Sequence, residues 1–139
     1  MFKYLRNINH SSNPTEVYSI FSPAIDARDG GVNAGSIVTL TEGAIGAELD
    51  TTAPMFLAIS SKKPGENKEI KCIKISAGML FEADIDASID IDYLFCGGYC
   101  GPAPDATQKG VTVAFTGEQL FEIIDITNAR NGKITVAAV

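Results

Sequence analysis

The sequence has no tryptophan and one histidine, His10. Its apolar runs fall far short of the ~20 residues that a bilayer span needs. The N-terminal stretch Met1-Phe2-Lys3-Tyr4-Leu5-Arg6 has no apolar core of signal-peptide length. Neither membrane insertion nor secretion is expected, and synthesis in the cytoplasm is. Histidine chemistry would rest on His10 alone. It lies in a polar stretch, Asn9 to Pro14, where nothing local suggests the nucleophile and orienting carboxylate that a general base needs. The chain is read as a non-enzyme with no catalytic residue.

Cysteine is also scarce. Cys72 sits inside Ile70-Lys71-Cys72-Ile73, an apolar-alternating stretch, and reads as a small core residue. Cys96 and Cys100 flank Gly97-Gly98-Tyr99. A structural zinc site takes four ligands, and no second pair accompanies them. They read as two loop thiols. No metal and no cofactor is expected. Gly30-Gly31 and Gly97-Gly98 lack the spacing of a phosphate-binding loop.

Basic charge is missing from the second half. Residues 1–75 carry eight basic and eight acidic side chains, whereas residues 76–139 carry three and nine. The whole net charge of −6 therefore belongs to the C-terminal half. Nucleic acid needs a basic footprint, so it is excluded as a partner; an electrostatic partner of this half should be basic.

The 139-residue chain is 45% hydrophobic and 20% charged, which is enough to bury a core. Its dominant period is two. In residues 81–92, Phe81, Ala83, Ile85, Ala87, Ile89 and Ile91 alternate with Glu82, Asp84, Asp86, Ser88, Asp90 and Asp92. That is a strand pattern. A single strand of that length would run about 40 Å, so a break is expected near Ala87-Ser88. Shorter strands are predicted over 16–21, 36–40, 44–49, 55–60, 68–75, 111–115, 120–126 and 133–139. The last follows the turn dipeptide Asn131-Gly132. Residues 22–35 and 96–110 read as loops, and no segment carries a helical stripe. The expected fold is all-β: a single compact β-barrel or β-sandwich of about nine short strands over 15–139, with an extended N-terminal arm over 1–14.

Two groups of residues stand out as candidate contacts. The arm carries Phe2, Tyr4, Leu5 and Ile8 beside Lys3 and Arg6. These apolar groups either pack on the body of the same chain or dock on a neighbouring subunit. Glu82, Asp84 and Asp86, continued by Asp90 and Asp92, form an acidic ladder. Carboxylates on one strand face lie about 6.5–7 Å apart and diverge, whereas calcium needs converging oxygens. The ladder is a solvated face or a contact for a basic partner.

The order of segments resembles small phage head decoration proteins. The likeness rests on Gly35-Ser36-Ile37-Val38-Thr39-Leu40, Pro54-Met55-Phe56-Leu57-Ala58, Ile70-Lys71-Cys72-Ile73 and Met79-Leu80-Phe81-Glu82-Ala83. It continues through Gly117 to Ile124 and closes with Gly132-Lys133-Ile134-Thr135-Val136. It spans most of residues 35–139 and departs at residues 96–109. The resemblance implies a capsid-stabilising protein on the exterior of the virion. It would bridge major capsid subunits as a homo-oligomer, often a trimer at local three-fold axes. The reading from residue chemistry alone leaves a second possibility open, a carbohydrate- or ligand-binding β module using Tyr99 and the carboxylates.

Overall fold

The computed structural model describes residues 1–8, 17–20, 31–41, 44–45, 52–66, 68–87, 89–102, 112–114 and 120–139. The described residues are all-β. They form β1 (Phe2–Asn7), β2 (Val17–Ile20), β3 (Ile37–Thr41), β4 (Ala44–Ile45), β5 (Met55–Ala58) and β6 (Ile70–Lys74). The second part of the chain gives β7 (Met79–Ile85), β8 (Tyr99–Pro102), β9 (Thr112–Ala114), β10 (Phe121–Asp125) and β11 (Lys133–Ala138). The nine predicted strands are all represented. The two extra ones are β1 and β8.

The chain divides into two compact units. The first takes residues 1–13, 76–104 and 111–139, and the second takes 14–75 and 105–110. Each holds one sheet. In the first unit the strand order is β1-β7-β11-β10-β8-β9, and β9 also pairs in parallel with the end of β7. The other pairings are antiparallel. In the second unit the order is β2-β6-β5-β3-β4, antiparallel throughout.

Alternation dictates the core of the first unit. Register aligns Phe2, Ala83 and Ile134 across β1, β7 and β11, and aligns Tyr4, Phe81 and Val136 two residues along. Both rows face inward. Phe2, Phe81 and Phe121 meet there, with ring centroids 5.5–6.4 Å apart. Edge-to-face geometry at Phe2–Phe81 and Phe81–Phe121 sets the positive ring edge against the negative ring face. Tyr4 adds a fourth ring, edge-on to Phe81.

This corrects the expected arm over its described part. Phe2–Asn7 is not a free extension but a strand hydrogen-bonded to β7, bulged between Tyr4 and Arg6. The physical reason is Phe2, only 2% exposed. Burying its ring offsets the entropy of fixing the chain end.

In the second unit, Ile20, Val32, Val38, Phe56, Ala58, Ile70 and Cys72 form a buried cluster, with Leu40 packed against it. Tyr18 sits edge-on to Phe56. Val32 and Lys62 exchange backbone hydrogen bonds of 2.9 and 2.8 Å. Gly31 makes this possible: at φ +70° a Cβ there would lie 2.1 Å from the Lys62 carbonyl oxygen.

Candidate functional site

The acidic ladder ends earlier than its pattern. β7 stops at Ile85, short of the break expected near Ala87-Ser88. Asp90 then caps a 3-10 turn over Ile91–Tyr93, its side chain accepting a hydrogen bond of 3.0 Å from the Asp92 amide. Only Glu82 and Asp84 therefore lie on the strand, with Asp86 just beyond it. The backbone turns directly after the strand, where the Ile89 amide donates to the Asp86 carbonyl at 3.0 Å, although the apolar alternation continues.

Register then supplies a cation to each strand carboxylate. Lys3 of β1 lies opposite Glu82, and Lys133 of β11 lies opposite Asp84. Lys133 Nζ donates to Asp84 at 2.6 Å and lies 4.0 Å from Glu82. The N-terminal ammonium donates to the other Asp84 oxygen at 2.7 Å. Burial works to raise the Asp84 carboxyl, but these two donors outweigh it and hold it below its ordinary value. The hydrogen bond to Asp84 in turn raises Lys133. The neighbouring depression, lined by Glu82, Asp125, Asn128, Lys133, Ile134 and Thr135, measures about 20 Å³. That is room for a single water. Among the described residues no three histidine, cysteine or acidic side chains group as a metal site would require. Glu82 and Asp84 thus belong to a cross-strand charge network of this chain.

The arm candidates separate by exposure. Phe2 is committed to its own core and has no surface to offer a partner; its candidacy as a contact is withdrawn for that reason. Tyr4 is half-buried against Phe81. Leu5, Arg6 and Ile8 remain exposed.

A more exposed apolar surface begins just before the loop expected over 96–110. Tyr93 is 76% exposed and Phe95 62%, while Leu94 between them is buried and anchors the segment. Residues 95–98 form a turn, with the Gly98 amide donating to the Phe95 carbonyl at 3.2 Å. The turn is stitched to β10: the Gly97 amide donates to Ile123 at 2.8 Å, and the Ile123 amide donates to Gly98 at 2.7 Å. Phe95 folds back over Gly98, where an added Cβ would come within 3.2 Å of its ring.

β8 continues from this turn. Its Tyr99 lies opposite Glu122 of β10. Ile124, at the register shift between Ile123 and Asp125, is exposed as well. Cys96 Sγ lies 3.3 Å from the Ile124 carbonyl oxygen. Backbone hydrogen bonds thus hold exposed Phe95, Tyr99 and Ile124 on neighbouring segments, with exposed Tyr93 two residues before Phe95 and Glu122 opposite Tyr99. Between residues 86 and 125 the described residues include no lysine or arginine.

Phe95 and Tyr93 were not among the sequence candidates. The available signal was the alternation Tyr93-Leu94-Phe95, with the middle residue inward. The other thiols lie apart from this chemistry. Cys72 and Cys100 are buried, which pushes both up to about 12. All three cysteines are free. His10 lies outside the described residues. Among those residues, no helix is long and apolar enough to cross a membrane. No protein-family profile matches the chain, and no curated protein or solved structure is significantly similar to it.

Proposed function

We propose that this chain is a viral structural protein that binds the outer surface of a phage capsid as a homo-oligomer. There it stabilises the expanded head by bridging major capsid subunits, with no cofactor and no chemistry. The observation that carries the reading is the set of exposed apolar side chains Tyr93, Phe95, Tyr99 and Ile124 on β8, β10 and the turn before them. Exposed apolar groups that gather in one region mark surfaces that another molecule covers. Asp90, Asp92 and Glu122, near them in the chain, suit a basic neighbour. The segment order shared with head decoration proteins adds the class of neighbour. A lattice that binds many copies is stabilised by mass action, and each bridging copy gains avidity from its second contact. The test is cosedimentation with expanded heads assembled from the major capsid protein encoded nearest to its gene. Saturable binding to expanded heads, and none to unassembled capsid subunits, is expected.

A second reading is a carbohydrate-binding module on a virion or cell surface. It is favoured by Tyr93 and Tyr99 beside Asp92 and Glu122, since rings with adjacent carboxylates can stack on and hydrogen-bond to sugars. A glycan array discriminates: binding abolished by Tyr99→Ala would replace the capsid reading.

A further inference from the structure

The first unit carries two exposed surfaces of complementary chemistry. One is the outer side of β1, where Leu5 (43% exposed) and Ile8 (49%) flank the exposed Arg6. Residues 1–8 contain no acidic side chain. The other is the aromatic surface of β8, β10 and the turn before them, with its carboxylates.

Phe2 of β1 and Phe121 of β10 meet in the core, 5.5 Å apart, so both strands turn one face inward and their exposed side chains lie on the outside of the unit. Two exposed patches of complementary chemistry on one unit can be matched between copies.

We propose that the chain associates head to tail: β1 of one copy, through Leu5, Arg6 and Ile8, docks on the Tyr93, Phe95, Tyr99 and Ile124 surface of a second copy. The inference rests on the self-association part of the reading above and names the two surfaces. Arg6 is the residue type best suited to this pairing. Its guanidinium stacks on an aromatic face and reaches a carboxylate at the same time, and Tyr99 with Glu122 opposite offers both. Leu5 and Ile8 supply apolar area for the remaining rings. Such a contact joins two different patches and leaves one of each free, so repetition closes a ring when the rotation per step allows it.

The test is the association state of the full chain by sedimentation velocity over a range of concentrations. Phe95→Ser and Leu5→Ser change exposed residues and should leave the circular dichroism spectrum and thermal midpoint intact. Each should weaken association roughly tenfold or more, as loss of an anchor at the centre of an interface does. Arg6→Glu and Glu122→Arg should each weaken it similarly. The double variant should recover most of the loss, because the charges are exchanged and not removed. An oligomeric wild type unmoved by Phe95→Ser and Leu5→Ser overturns these surfaces while leaving self-association through another face. A wild type that stays monomeric at every concentration overturns self-association and this inference with it. Cosedimentation of the wild type with expanded heads reports on capsid binding separately.

Discussion

Replacing Phe2 by alanine removes the residue that turns the chain end into a strand. Its ring is 2% exposed and lies 5.5 Å from Phe121 and 6.4 Å from Phe81. Truncating a buried phenylalanine costs about 3–5 kcal/mol through lost transfer energy and the cavity left behind. The lower end applies here, because β1 is a terminal strand and can detach instead of leaving a rigid void. A loss of about 3 kcal/mol is therefore expected. With a urea slope of about 2 kcal/mol/M, the midpoint falls by about 1.5 M. Leu5→Ala, on the same strand but 43% exposed, should stay within about 0.5 kcal/mol of wild type. Urea unfolding followed by tyrosine fluorescence and circular dichroism measures both, since the chain has four tyrosines and no tryptophan. Hydrogen exchange adds the local view: the Lys3 and Tyr4 amides lose protection in Phe2→Ala before the rest of the sheet does. If Phe2→Ala and Leu5→Ala shift the midpoint equally little, the N-terminus is an arm and the core assignment fails.

Three further expectations follow from particular contacts. Gly31→Ala should cost well over 1 kcal/mol in a thermal or urea melt, because φ is +70° and the new Cβ would meet the Lys62 carbonyl oxygen. Gly65→Ala, also at positive φ but with open space around it, should cost about 1–2 kcal/mol and no more. Asp84 is held below its unfolded value, so its contribution to stability is present above that value and lost as pH falls through the folded one. Acid melts below about pH 4 should thus show a steeper loss in wild type than in Asp84→Asn. A thiol reagent should label one cysteine quickly, the exposed Cys96. Cys72 and Cys100, buried and raised to about 12, should react only on unfolding.

Much of the sheet structure was legible because alternation is a direct consequence of strand geometry. Phe56, Phe81 and Phe121 were expected inside, and all are buried. The turn dipeptide Asn131-Gly132 lies before β11, with Gly132 at φ +79° closing a short 3-10 turn. Phe21 and Phe115, at the ends of the strands predicted over 16–21 and 111–115, lie outside the described residues. β8 was hidden because Gly101 and Pro102 read as loop. Pro102 is tolerated in a short strand of four residues, where it pairs with Val113 of β9. β1 was hidden by its mixture of apolar and basic residues, although Phe2 and Tyr4 already showed the period. The ion pairs of Glu82 and Asp84 were hidden for a different reason: Lys133 and the N-terminal ammonium are far away in sequence and become adjacent only through the pairing of β1, β7 and β11. The aromatic surface depends likewise on which of Tyr93, Leu94 and Phe95 turns inward, and the turn hydrogen-bonded to β10 fixes that.

The measurement closest to the central claim is decoration of expanded phage heads, read by cosedimentation and by cryo-electron microscopy of the mixture. The account predicts saturable density on the outer surface, with Tyr93, Phe95 and Tyr99 in protein contacts and binding weakened by Phe95→Ser. Heads that sediment without the protein at concentrations where it is folded and soluble would contradict it.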